Sequence, residues 1–183
     1  APLLVPPAVD LPGDLAEIGE RRGRWVALAI GAGEADRCVA PAVWGQWIDE
    51  FLTETDDGHV VLIGSGTERE TAQAILESLP ALLHGRVWNA AGRTTLSQLM
   101  HVLHTCHWVV GADTGPLHLG TLVGSRAMSW YFSRARIHET GPYGDGHWAF
   151  QHAAQTQPGS WPIKESIEVM CHGRHRNAQD WTL

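Results

Sequence analysis

The chain has 183 residues, 44% hydrophobic and 18% charged, with 13 Lys and Arg against 20 Asp and Glu for a formal charge of −7. That length and balance suit one soluble globular domain with a sizeable core and exclude a disordered or fibrous chain. No basic run is present, so a nucleic-acid footprint is absent and any anion site has to be built locally from backbone amides and helix ends.

The opening APLLVPPAVDLPGD is Pro-rich and reads as an extended linker, so residues 1–22 are expected to be linker and the start of the domain. With Ala rather than Met at position 1, the chain reads as a piece of something larger. The opening lacks a signal-peptide core, and no stretch reaches the roughly 20 apolar residues of a membrane span. Cys38, Cys106 and Cys171 lie far apart and are odd in number, neither a disulfide framework nor a zinc spacing, which favours a reducing, cytoplasmic setting.

Trp25 to Ile30 is a short apolar run ending in Gly31-Ala32-Gly33, the pattern of a buried strand and turn. From Pro41 the period becomes helical, with Val43, Trp44, Trp47, Ile48, Phe51 and Leu52 on one face. The unit repeats: strand His59 to Ile63, turn Gly64-Ser65-Gly66, then a helix from Thr67 to Leu79 with Ala72, Ala74, Ile75 and Leu79 inward. A weaker strand follows at Arg86 to Asn89, and Thr94 or Thr95 can cap a helix carrying Leu96, Leu99, Met100, Val102 and Leu103. Trp108 to Gly111 is the fourth strand, Gly115 to Val123 a short helix and Ala127 to Phe132 the fifth strand. Short apolar strands alternating with helices imply parallel βαβ units in a doubly wound, Rossmann-like α/β sheet. Residues 133–160 read as loop closing a domain that runs from 23 to 160, and 161–183 as a terminal helix, over 161–176, and tail.

In such a sheet the ligand sits outside the carboxyl ends of the strands. Those ends carry Gly31-Ala32-Gly33 with Asp36 and Arg37; Gly64-Ser65-Gly66-Thr67-Glu68; Gly92-Arg93-Thr94-Thr95; and Asp113-Thr114-Gly115-Pro116. Glycines and free N–H groups at helix starts suit a phosphate. Asp113 is expected to cap the following helix, Thr114 and Gly115 to offer amides and a hydroxyl, Pro116 to begin the helix, and His118 to turn its imidazole toward the same anion. The plainer alternative is a capping Asp113 with His118 as a satisfied buried side chain. Glu68 can accept hydrogen bonds from a ribose diol or, equally, complement the dipole of its own helix. GSGTERE fits neither G-x-G-x-x-G nor a Walker A loop. His101, His104 and His107 lack a completing carboxylate or cysteine, so a metal site is disfavoured. The nine tryptophans read as core and interface fillers, with Trp44, Trp130 and Trp148 as candidates to face a neighbouring domain.

The order of strand, GAG, helix, VVLIGSGTERE, helix, AAGRTTLSQL, WVVGADTGPLHLGTLVGS, strand and GPYG resembles the C-terminal half of glycosyltransferase family 9, which includes the lipopolysaccharide heptosyltransferases, over about residues 24–150. The resemblance implies the donor-binding half of a GT-B fold and transfer of a sugar, heptose, from an ADP-linked donor to a lipopolysaccharide or other surface glycan. It implies an inverting, metal-independent reaction with no cofactor, in which the nucleotide sugar is substrate. By the same resemblance Asp113, Thr114, Gly115, Pro116 and His118 match the loop that meets the donor pyrophosphate, and Glu68 the acid near the ribose. Arg93, Thr94 and Thr95 match the segment near the base. Arg37 matches a basic residue reaching the phosphates, although the family usually has Lys followed by Trp-Pro where this chain reads RCVAP. The catalytic base belongs to an N-terminal acceptor-binding domain, so no residue here is catalytic and this domain alone is expected to be inactive. Membrane association, if any, is peripheral, at the inner membrane and through the parent. Two alternatives stay open: a non-catalytic nucleotide-binding or interaction module of the same fold, and a GT-B-like sugar-nucleotide epimerase.

Overall fold

Residues 2–33, 37–132, 135–152, 168–171 and 174–176 are described by a computed structural model of the chain. Its strands are β1 (Arg24–Ala29), β2 (Gly58–Ile63), β3 (Val87–Asn89), β4 (Trp108–Ala112), β5 (Arg126–Tyr131), β6 (Trp148–Gln151), β7 (Glu168–Cys171) and β8 (Arg174–Arg176). Between them stand helices α1 (Pro41–Glu54), α2 (Arg69–Ser78), α3 (Leu96–Thr105), α4 (Gly115–Val123) and α5 (Ile137–Thr140). One sheet runs in the order β3-β2-β1-β4-β5-β6-β7-β8, parallel from β3 through β6 and antiparallel for β7 and β8. The parallel part has the doubly wound order, with its reversal between β1 and β4.

Alternation along each central strand feeds two cores. Val26 and Leu28 of β1, Val60 and Leu62 of β2, and Val110 of β4 join Trp44, Ile48 and Leu52 of α1 and Ile75 of α2 on one face. Trp25 and Ala27, Val61 and Ile63, and Val109 face the other way, against Val102 and Leu103 of α3 and Leu117 and Val123 of α4. Burial on both faces is why these strands read as unbroken apolar runs.

In the N-terminal segment the domain starts by Gly13–Glu17, a 3-10 turn whose Leu15, with Ile18 after it, is buried in the second core. Several expectations need correction. Ala74 and Leu96 are exposed, because α2 and α3 bury narrower stripes than the spacing suggested. Trp44 and Trp130 face no neighbour; both are fully buried, with ring centroids 5.6 Å apart. The loop expected over 133–160 contains α5 and β6, and the helix expected over 161–176 is replaced by strands at Glu168–Cys171 and Arg174–Arg176. These strands exist by adding to the edge at β6, a pairing between distant segments that helical periodicity cannot anticipate. Residues 161–167 lie outside the described residues. No helix among the described residues is long and apolar enough to cross a membrane.

Candidate functional site

The carboxyl ends of β1, β2 and β4 meet at the reversal in strand order, and a cleft of about 500 Å3 opens there. Its lining includes Gly31, Gly33, Ser65, Glu68, Thr114 and Pro116. Two helix starts form its walls.

At the α2 start, Glu68 ends the 3-10 turn Gly66–Glu68 and folds back to accept the Ser65 N–H at 2.5 Å. The Ser65 and Thr67 hydroxyls lie 2.7 Å apart. Glycine lets this carboxylate lie against the backbone: a Cβ on Gly31 would stand 2.0 Å from Glu68 Oε1, so any side chain there has to displace the Glu68 carboxylate. The neighbouring loop is locked by backbone. Gly92, at φ 65°, donates its N–H to Gly64 O at 3.0 Å, and a Cβ there would approach Gly66 Cα to 2.6 Å.

At the α4 start, Asp113 does not cap the helix as expected. Thr114 is the N-cap, and no side chain bonds to the helix from that position. Instead His118 Nε2 donates to Asp113 Oδ1 at 3.2 Å and Thr140 Oγ1 donates to Oδ2 at 3.0 Å. Arg37 Nη1 stands 3.6 Å from Oδ2. The ionised carboxylate only accepts, so the His118 proton shared with it sits on Nε2. The Asp113 side chain is 10% exposed. Burial pushes its carboxyl up, but the hydrogen bonds from His118 and Thr140, with the nearby charge of Arg37, outweigh that and hold it below the ordinary carboxylate value.

Pro116 carries no N–H, so the amides that residues 114–116 present are those of Thr114 and Gly115; the Leu117 N–H is spent on Thr114 O at 3.1 Å. Space at Gly115 is open, since a Cβ there would meet nothing within 4 Å. The helix start therefore faces the cleft with no acid seated on it.

These features bear on the comparisons with known proteins. The family model for glycosyltransferase family 9 (heptosyltransferase) matches residues 49–172. The chain belongs to glycosyltransferase family 9. It is 32% identical over 85 residues to the lipopolysaccharide core heptosyltransferase OpsX of Haemophilus influenzae, a match covering 46% of this chain and 24% of that protein. Among solved structures it is similar to ADP-heptose lps heptosyltransferase II of E. coli, with a TM-score of 0.61 at 21% identity over 66% of this chain and 36% of that one. It is also similar to E. coli heptosyltransferase WaaC with ADP, with a TM-score of 0.63 at 19% identity over 81% and 42%. The chain thus spans about a quarter of the curated relative it matches, and the likeness to the solved structures concerns the fold.

Within this family 9 chain the residues singled out from the sequence fall into groups. Glu68, Thr114 and Pro116 line the cleft, and Asp113, His118 and Arg37 form a cluster behind the α4 start. Arg93 stands apart: it is tied to Asp14 in the N-terminal 3-10 turn and to Asn89 O at 2.9 Å. Thr95 caps α3, accepting the Gln98 N–H at 3.3 Å while Gln98 Oε1 accepts the Thr95 N–H at 2.9 Å. Thr94 beside it is half-buried, and α3 reaches the cleft through Leu99 instead. The three histidines of the disfavoured metal reading have different surroundings. His104 Nδ1 bonds to Val123 O at 2.6 Å, His107 Nδ1 accepts the Trp25 N–H at 3.3 Å, and His101 lies half-buried on α3. Asp36 lies outside the described residues. Sequence reasoning missed Thr140, whose only signal is its place just before Gly141-Pro142-Tyr143-Gly144, 27 residues from its partner.

Proposed function

We propose that this chain is the donor-binding half of a GT-B glycosyltransferase that moves a sugar from a nucleotide diphosphate donor, an ADP-linked heptose, to a lipopolysaccharide or other surface-glycan acceptor. The observation that carries the reading is the cleft at the strand-order reversal, where the α4 start offers the Thr114 and Gly115 amides with no acid placed over them. A helix start of this kind presents about half a positive charge to an anion. The likeness in fold to a heptosyltransferase solved with ADP supports the choice of nucleotide.

As the bond between sugar and phosphate breaks, negative charge grows on the outer phosphate of the leaving ADP. The amides of Thr114 and Gly115 meet that charge from the α4 start, with Arg37 and His118 adding their support from the cluster on Asp113 behind it, an arrangement that needs no metal. Asp113 carries the wrong charge to touch phosphate; it orients His118 and Arg37. Glu68 keeps Oε1 over Gly31 at the cleft floor, where it can accept from a ribose hydroxyl while Oε2 holds the Ser65 amide. The acceptor hydroxyl is deprotonated by a base outside this chain and attacks the anomeric carbon opposite the leaving diphosphate, inverting it. The parent acts on the cytoplasmic side, and any membrane contact is peripheral.

The test is a titration with ADP, UDP and GDP, followed by tryptophan fluorescence and thermal stability. A ligand at 100 times its dissociation constant adds about 2.7 kcal/mol of stability. Selective stabilisation by ADP is the expected result. No response to any nucleotide, here or in the longer parent, overturns the reading in favour of an interaction module.

A further inference from the structure

Gly141-Pro142-Tyr143-Gly144 is among the most specific parts of the family resemblance, yet it sends no ring into the cleft: Tyr143 is 84% exposed. The turn just before it does reach the site. Helix α5 stands on a small core of its own, made by Tyr131, Ala135, Ile137 and Ala149. The Ile137 N–H donates to Gln151 Oε1 at 3.1 Å, and Gln151 Nε2 donates in turn to Tyr131 O at 3.1 Å and Ala135 O at 3.2 Å. Tyr131 OH donates to Thr140 O at 3.0 Å. The turn is therefore held from the β5 and β6 side, independently of α4. From that base Thr140 Oγ1, 3.3 Å from Arg136 O in its own turn, gives its proton to the nearer Asp113 Oδ2 at 3.0 Å.

We propose that Thr140 is a positioning residue that keeps the anion-binding start of α4 open by holding the Asp113 carboxylate away from it. The proposal rests on the donor-site reading above. An aspartate beside a helix start is drawn to the free amides there, where capping and the helix dipole both favour a carboxylate. If Asp113 turned to them it would fill the place intended for the diphosphate with its own charge. His118 secures one oxygen and Thr140 the other, so a turn of the carboxylate onto the Thr114 and Gly115 amides has to break these bonds. Thr140 acts on the donor only through Asp113.

Thr140→Val removes the hydroxyl and keeps the shape; Thr140→Ser restores it. The expected result is about tenfold weaker ADP binding in Thr140→Val, the usual scale for a hydrogen bond to a charged group. AMP, which lacks the outer phosphate, is expected to lose less than threefold. Thr140→Ser binds ADP like the parent sequence, and so does Glu139→Ala on the exposed side of the same turn. Without nucleotide, the amide resonances of Thr114 and Gly115 and the ring nitrogens of His118 shift in Thr140→Val and stay put in Thr140→Ser. Unchanged ADP affinity with unchanged resonances overturns the proposal. A parent sequence that ignores ADP while these resonances still move in Thr140→Val removes the donor reading and leaves the hold on Asp113 standing.

Discussion

The starts of α2 and α4 carry the same ingredients, a small-residue turn with an acid close by, and use the acid in opposite ways. Glu68 bends back onto its own backbone and satisfies the Ser65 amide. Asp113 turns outward to His118, Thr140 and Arg37, leaving the helix start without a side-chain cap. In one dimension Asp113 reads as a cap and Glu68 as a ribose acceptor or a first-turn charge on its helix. What separates them is a partner brought from 27 residues away, and in the proposed function ribose chemistry falls to one wall of the cleft and phosphate chemistry to the other.

The contrast breaks most visibly at Asp113. Asp113→Ala removes the carboxylate that His118 and Arg37 share, so ADP affinity is expected to fall about 100-fold, the upper end for bonds to a charged group. Isothermal titration reads this directly, and a loss below threefold would mean that the cluster is only structural. Gly31→Ala attacks the other wall, since its Cβ would stand 2.0 Å from Glu68 Oε1. The clash is relieved by moving Glu68 off the cleft floor, so the expected cost is the bond to the Ser65 amide, about 1–2 kcal/mol by denaturant unfolding. Glu68→Gln sharpens the comparison more gently. Glutamine retains the bond to the Ser65 amide, so stability should change by less than about 0.5 kcal/mol. ADP affinity is still expected to drop several-fold, because a carboxylate accepts from a ribose diol better than an amide does; equal losses for ADP and for its 2′-deoxy analogue would remove the ribose role.

The smallest effect lies away from both walls and tests whether acid sensitivity belongs to the scaffold. His59 is 8% exposed, between Trp25 and Trp88. Burial lowers its pKa below the ordinary 6.5, against an opposing bond to Arg22 O. The unfolded chain then binds the proton more tightly, so His59 contributes stability that is fully present above pH 6.5 and is lost as pH falls below it. The melting temperature should drift downward from pH 7 to 5.5, and His59→Asn should flatten the drift. The depressed carboxyl of Asp113 gives an acid limb in the same direction but lower, beginning only as pH falls below its ordinary 3.8.

Legibility along the chain followed how local each signal was. Strands β1 to β5 and helix α1 were readable because burial on both faces writes continuous apolar runs, and because Pro41 marks a helix start. Helix α4 was readable to the residue, since Gly115-Pro116 opens it and Gly124, at φ 103°, ends it. Strands β6, β7 and β8 are four, four and three residues long and exist through edge pairing, so they left no period to detect. At the site, the glycine turns and the Thr114-Gly115 loop were visible. The role of Asp113 was not, because capping is the local default and Thr140 overrides it. Arg93 and Thr95 look like cleft residues by sequence and are instead used to pin the N-terminal turn and to cap α3.

The most direct test of the two-wall site is an amide-resolved NMR titration of this chain with ADP. The account predicts the largest shifts at Thr114 and Gly115 for the diphosphate, with a second group at Gly31, Gly33, Ser65 and Glu68 for the ribose, and little at Arg93 or Thr95. Shifts centred on Arg93 to Thr95 with the α4 start silent would contradict it.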